Sequence, residues 1–336
     1  MSQQSNECPL LQMTDVEFTY PGSNRKIIKG VSLDLQRNTS YGLIGESTCG
    51  KTTLGKIIAR LVPHIDAGRV EFNSDGQNIY DDDDKNLYEY RRKVHMVFQN
   101  PDAALNPGMK IGAIIREALK AQNKRLPRKS ITDMTSFFLQ KINLSDQHKR
   151  FPDSLSGGEK RRVGIARALA VEPELIIADE PFANLDASLR NQVIKLFGIQ
   201  PTSDNNIPTY LFILHNIDVA KAICDTVFVM YLGKIVEVDA KPKILSQKNP
   251  IHPYTVGLIE ASVKLQPSPQ LYYLLRYSPL SSVPPDGCSF RTRCFVYNNN
   301  KIHQSQKEMC ETEEPTLKEI EQNHDIACHF PYAAYT

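Results

Sequence analysis

The sequence predicts an α/β fold with a mostly parallel sheet flanked by helices. Two observations carry this expectation. The short apolar runs SYGLIG, ELIIADE and TYLFILH read as buried strands, and they alternate with stretches of helical apolar spacing. At 336 residues, 41% hydrophobic and 23% charged, the chain can also bury one large domain and carry an appended module.

Residues 11–75 begin with β-rich stretches, VEFTY, IIKGVSLDLQ and GRVEFN, punctuated by turn signals such as PGSN and RNTS. SYGLIG runs into a glycine-containing loop, and TLGKIIARLV follows with helical spacing at Leu54, Ile57, Ile58 and Leu61. The acidic run Asp81–Asp84 reads as a solvated loop, because the spacing of a calcium-binding EF-hand is missing. IGAIIREALKA and TSFFLQKINL mark a mainly helical region at 100–150. Helix GGEKRRVGIARALA, strand ELIIADE, helix SLRNQVIKLFGI and strand TYLFILH come next. Pro267, Pro269, Pro279, Pro284 and Pro285 then predict an extended connector over 266–287.

Composition excludes some classes of function. The net charge of +2 is spread along the chain, without the basic stripe of a nucleic-acid surface. No apolar run approaches the roughly 18 residues that span a bilayer, and the start MSQQSNECPL lacks signal-peptide features. The protein is therefore expected in the cytosol, with any membrane work anchored by other chains. Of seven cysteines, Cys8, Cys49 and Cys224 are scattered, whereas Cys288, Cys294, Cys310 and Cys328 cluster near the end. In a reducing compartment that cluster favours metal over disulfides.

Three motifs carry chemistry. Gly45-Glu46-Ser47-Thr48-Cys49-Gly50-Lys51-Thr52, continued by Thr53, fits G-x-x-x-x-G-K-[ST] between a strand and a helix. Its backbone N–H groups can curl around a β-phosphate, with Lys51 reaching the β- and γ-phosphates and Thr52 ligating Mg²⁺. Cys49 is expected to be a small spacer. Leu175–Glu180 is an apolar strand that delivers two carboxylates to the mouth of the sheet, Asp179 for the Mg²⁺ shell and Glu180 as general base. Leu155-Ser156-Gly157-Gly158-Glu159 ahead of KRRVGIARALA reads as a serine-capped helix whose N-terminus can take an anion.

In this order the motifs resemble the ABC ATPase family, whose signature binds the γ-phosphate of ATP held by the opposite subunit. The resemblance covers residues 11–260. It implies that Tyr20 stacks on adenine and that Gln99, in MVFQNP, senses Mg²⁺ and contacts membrane subunits. It further implies that Ala183-Asn184-Leu185-Asp186 is the D-loop and that His215 is the switch histidine on the γ-phosphate. The implied fold is a P-loop ABC ATPase at 11–255, with a RecA-like core, an antiparallel β subdomain and a helical subdomain at about 100–165. A C-terminal cysteine-bearing extension fills 256–336. The implied activity is ATP hydrolysis with Mg²⁺, coupled to transport.

GESTCGKTTL, FQNPDAALNP, YLGKIVE, HPYTVGLIEA and the tail PPDGCSFRTRC resemble the oligopeptide/dipeptide importer branch. That implies a second ATPase subunit, two transmembrane permeases and an extracytoplasmic substrate-binding protein, with this chain peripheral on the cytoplasmic face of the inner membrane. It also implies a [4Fe-4S] cluster on Cys288, Cys294, Cys310 and Cys328. The spacing C-x5-C-x15-C-x17-C suits Fe–S or zinc chemistry, or free thiols, and its lack of a tight C-x2-C favours the cluster. His329 is read as a bystander.

Three departures from the branch stand out. Thr48 replaces a loop glycine, at a cost of roughly 1–2 kcal/mol if φ there is positive. Glu159 replaces the signature glutamine, and at about 8 Å and a dielectric near 20 its repulsion of a phosphate is on the order of 2 kcal/mol. Asn216 follows His215 where aspartate is usual. These keep open a slow-hydrolysing regulatory subunit, and the substrate could be a metal chelate or other peptide-like compound. A soluble ABC ATPase of translation or DNA repair would carry two cassettes or a long insertion, and this chain has one uninterrupted cassette.

Overall fold

The computed structural model describes residues 8–73, 76–81, 84–122, 125–183, 185–198, 207–240, 251–263, 274, 283–284, 286–298 and 302–332. Asn184, Asp82, Asp83 and most of the proline-bearing connector lie outside the described residues.

Two sheets organise the chain. Strands β1 (Leu11–Thr19), β2 (Lys26–Leu35) and β4 (Ala67–Phe72) form an antiparallel sheet in the order β2-β1-β4. The larger sheet has the order β10-β11-β9-β8-β3-β7-β6-β5. Its parallel half comprises β3 (Ser40–Ile44), β5 (Val94–Val97), β6 (Leu175–Asp179), β7 (Thr209–Leu214) and β8 (Thr226–Tyr231). β3, β6 and β7 are buried at every residue, which is why they are apolar without alternation. Successive residues still face opposite ways. Leu175 and Ile177 join the core around the three-stranded sheet, while Ile176 and Ala178 join the core under the helical region.

The sheet is less uniformly parallel than the sequence suggests. At Leu232 and Gly233, both with positive φ, a tight turn reverses β8 into β9 (Lys234–Ala240). β11 (His324–Ile326) pairs antiparallel with β9, and β10 (Lys318–Glu321) closes the edge. The two tail strands thus extend the sheet that carries the phosphate loop.

Helix α1 (Lys51–Ile58) packs between the sheets through Leu54, Ile57 and Ile58. Helix α2 (Asp84–Lys93) claims Asp84 from the expected acidic loop. Its apolar period is invisible in sequence because, among its described side chains, Tyr90 alone is buried. Helices α3 (Ile111–Gln122), α4 (Arg128–Lys141) and α5 (Gly157–Leu169) share a core of Ile111, Ile115, Leu119, Ile131, Leu139 and Val163. Beyond them lie α6 (Ala187–Leu196), α7 (Ile217–Ile223), α8 (Pro253–Val263), α9 (Phe295–Asn298) and α10 (Gln304–Thr312). Among the described residues no helix is long and apolar enough to cross a membrane.

Candidate functional site

β3 ends at Ile44 and α1 begins at Lys51, so residues 45–50 form a loop over the helix N-terminus. Gly45 has φ 156°, and a Cβ there would sit 2.3 Å from the Met230 carbonyl oxygen, so only glycine fits. Lys51 is buried and donates to the carbonyls of Gly45 and Glu46, both at 2.8 Å. The loop is thereby wrapped around its own cation. Cys49 is buried, and burial pushes its thiol up.

Thr48 has φ 70°. A β-branched residue there carries roughly 1–2 kcal/mol of strain, more than the 0.5–1 kcal/mol of unfolded-chain entropy that glycine would add. Thr48→Gly is therefore expected to raise the thermal midpoint by about 2 °C. A lower midpoint in calorimetry would mean that contacts of the threonine outweigh its strain.

Next to the loop, Thr52 Oγ1 donates to Asp179 Oδ2 at 2.9 Å. Asp179 is 2% exposed. Burial raises its pKa, the Thr52 bond opposes this, and the neighbouring Glu180 charge adds to it. A divalent cation would relieve that penalty, so both residues suit the Mg²⁺ role. Tyr20 shares a 3.1 Å hydrogen bond with Thr53 and packs edge-on against Phe18, which leaves its ring partly exposed at the mouth of the loop.

Glu180 follows β6 with φ 47°, a left-handed turn that swings its carboxylate out of the strand. Gln99 Nε2 donates to Glu180 Oε2 at 2.7 Å, and His215 Nε2 hydrogen-bonds Oε1. Gln99 and His215, from two distant segments, thus meet on the Glu180 carboxylate. Arg161, on α5, was missed in the sequence. Its guanidinium donates to the Ala183 carbonyl and to the Gln99 carbonyl at 3.4 Å, which ties the signature helix to both loops. One of three arginines inside KRRVGIARALA, Arg161 carries no local hint of those partners.

At the signature, Ser156 Oγ accepts from Glu159 N at 3.3 Å and Ser156 N donates to Glu159 Oε2 at 2.7 Å, a complete capping box. The backbone bond from Ser156 lowers the Glu159 pKa. Glutamate at this position therefore secures the helix start, a use that a charge estimate against phosphate does not see. Neither Gly157 nor Gly158 has a positive φ, and a Cβ on Gly157 would meet nothing within 4 Å. Nothing among the described residues demands those glycines, which leaves bare backbone for an outside group. Asp186 caps α6 by accepting from Leu189 N at 2.9 Å. Asn216 caps α7, accepting from the N–H groups of Asp218 and Val219 at 2.8 and 3.2 Å, which explains its place after His215.

Cys288, Cys294, Cys310 and Cys328 line one small cavity with Phe290, Val296 and other apolar side chains. Burial pushes the thiols of Cys288 and Cys294 up to about 12 and raises those of Cys310 and Cys328. Such thiols ionise only against a positive charge. No group of three or more His, Cys, Asp or Glu side chains among the described residues stands as a ligand set for a metal ion. Neither the iron–sulfur cluster nor the zinc alternative therefore gains support from the geometry of the four thiols. His329 donates to or accepts from no cysteine in the bonds observed, and its Nε2 pairs with the Glu313 carbonyl at 2.9 Å.

Residues 28–183 match the ABC transporter family and 236–299 match the oligopeptide/dipeptide transporter C-terminal region. The chain is 35% identical over 344 residues to the oligopeptide transport ATP-binding protein AppF of Bacillus subtilis, covering 97% of this chain and 98% of that one. It is 35% identical over 297 residues to the dipeptide transport ATP-binding protein DppF of Escherichia coli, covering 85% and 86%. A solved dimer of an ATP-binding cassette with ADP and phosphate shares the fold, with a TM-score of 0.62 over 69% of this chain and 98% of that one, at 24% identity. Loop, carboxylates and relatives agree: the chain belongs to the ATP-binding proteins of the ABC transporter family, in the oligopeptide/dipeptide branch.

Proposed function

We propose that this chain is the ATP-hydrolysing subunit that powers peptide import through an ABC transporter. The observation that carries the reading is the meeting of Gln99 and His215 on Glu180, beside a phosphate loop whose lysine is already positioned. The names of its relatives as oligopeptide and dipeptide transport proteins support the cargo class.

In this reading Lys51 exchanges the loop carbonyls for phosphate oxygens, and Tyr20 offers its ring to the adenine. Glu180 takes a proton from the attacking water while His215 holds the γ-phosphate side. Thr52 and Asp179, with Gln99 at the edge, would hold Mg²⁺, which supplies charge neutralisation at the phosphate oxygens. Ser156, Gly157 and Gly158 serve the ATP of a second ATPase subunit, with Asp186 in the D-loop beside that contact. Two permeases would receive the motion through the Gln99 loop and cargo from an extracytoplasmic binding protein, with this chain peripheral on the cytoplasmic face of the inner membrane. Residues 11–255, including a helical subdomain at about 100–165, form the ATPase unit, and 256–336 the cysteine-bearing extension.

The reading is tested by reconstituting the complex in vesicles. ATP hydrolysis should rise severalfold when binding protein loaded with a peptide is added. Stimulation by a metal chelate and none by any peptide would replace the cargo class.

The four converging cysteines also suit a [4Fe-4S] cluster, which would cross-brace the extension. Anaerobically purified protein should be brown and carry about four irons per chain; colourless, iron-free anaerobic material would rule the cluster out.

A further inference from the structure

We propose that Arg293, in the extension, is a positioning residue for the phosphate loop of its own chain. The inference rests on the loop binding ATP, as proposed above. Arg293 is 1% exposed, and its guanidinium makes a two-pronged ion pair with Glu46 of the loop, Nη1 to Oε2 at 2.7 Å and Nη2 to Oε1 at 2.8 Å. Nη2 also donates to the Leu274 carbonyl at 2.6 Å, and the cation sits 5.7 Å from the Tyr231 ring centre. A buried guanidinium fixed on several sides is a rigid anchor, because its planar fork allows one orientation of the carboxylate.

Every polar group of Glu46 is engaged. Its N–H donates to the Tyr254 hydroxyl at 2.8 Å, its carboxylate pairs with Arg293, and its carbonyl accepts from Lys51 at 2.8 Å. Tyr254 is fully buried, with its ring 4.8 Å from Tyr231 and 5.4 Å from Phe290. When Lys51 turns to phosphate, the Tyr254 and Arg293 contacts still hold Glu46 to the body of the fold, beside a long 3.4 Å bond from Cys49 N within the loop itself. The ion pair also neutralises a carboxylate that would otherwise lie unpaired beside a polyphosphate. The turn that presents Arg293 continues directly into Cys294, and Phe290 lines both the tyrosine cage and the thiol cavity. The extension is thereby built into the nucleotide site.

The test uses the full-length chain, a fluorescent ATP analogue for affinity, and thermal melting without nucleotide. Arg293→Met should bind the analogue at least about tenfold more weakly, and Arg293→Lys, which keeps the charge but loses the fork, should recover only part. Because Arg293→Met risks misfolding, Glu46→Gln is the second arm. By charge alone, removing a carboxylate near phosphate would strengthen binding; loss of the anchor should instead weaken it about threefold or more. Wild-type or tighter binding by Glu46→Gln and Arg293→Lys would overturn the proposal. So would an Arg293→Met protein that melts earlier yet binds with wild-type affinity, since that is a purely structural role. Failure of the wild-type chain to bind the analogue would instead sink the ATP reading itself.

Discussion

Glu180→Gln is expected to slow ATP hydrolysis by the assembled complex at least about 100-fold, while ATP binding stays within about threefold of wild type. The amide keeps the size of the side chain, so the left-handed turn at position 180 and the approach of Gln99 at 2.7 Å are preserved. What is lost is the ability to take a proton. Steady-state phosphate release measures the first effect, and nucleotide titration the second. In the proposed assembly each composite site draws on two chains, so the same substitution belongs in the partner as well. If only the partner's variant is slow, this chain is the regulatory half of the motor. That outcome would give meaning to the strained Thr48, whose φ of 70° sets this loop apart from one with glycine there.

His324→Ala should cost about 3 kcal/mol of unfolding free energy, measured by urea denaturation at constant pH. Glu237 on β9 is fully buried, and its Oε1 lies 2.8 Å from His324 Nε2 on the neighbouring β11. The Thr255 hydroxyl and the His252 N–H, at 3.2 Å, also donate to Glu237, but neither brings a charge. Removing the histidine leaves a buried carboxyl without its ionic partner, where His324→Gln would restore one donor and part of the loss. A change below about 1 kcal/mol would mean that water or repacking substitutes for the imidazole.

The same pair gives stability a pH dependence with a definite sign. Burial by itself would lower the His324 pKa, yet the hydrogen bond and charge of Glu237, with Asp239 and Glu321 nearby, outweigh it and the net shift is upward. Burial raises Glu237 as well, although His324 and Thr255 pull against it. The folded chain therefore binds protons more tightly here than the unfolded chain. The His324 contribution is fully present below the unfolded imidazole value of about 6.5 and is lost as pH rises through the higher folded value. His324→Ala should flatten the stability curve in that window.

Much of this was legible in the sequence because it is local. Gly45 to Thr53 fixes a phosphate loop through spacing alone, and the apolar run LIIA predicts a buried strand that ends in the carboxylates of Asp179 and Glu180. Ser156 ahead of a helical run already spells an N-cap, whereas the return bond from Glu159 that completes the box is seen only in the structure. The tertiary structure decided what depends on residues far apart in the chain. Arg293 and Glu46 are separated by 247 positions, Glu237 and His324 by 87, and Gln99 and Glu180 by 81. A charged side chain in isolation says nothing about its partner, because the partner is chosen when the sheet brings distant segments to neighbouring strands. The sequence by itself therefore determined the chemistry of the ATP site and the order of its motifs. Only the fold determined that the cysteine-bearing tail adds strands to the ATPase sheet and grips its phosphate loop, since burying Val236 of β9, Ile326 of β11 and Tyr254 and Ile259 of α8 is what draws those charges together.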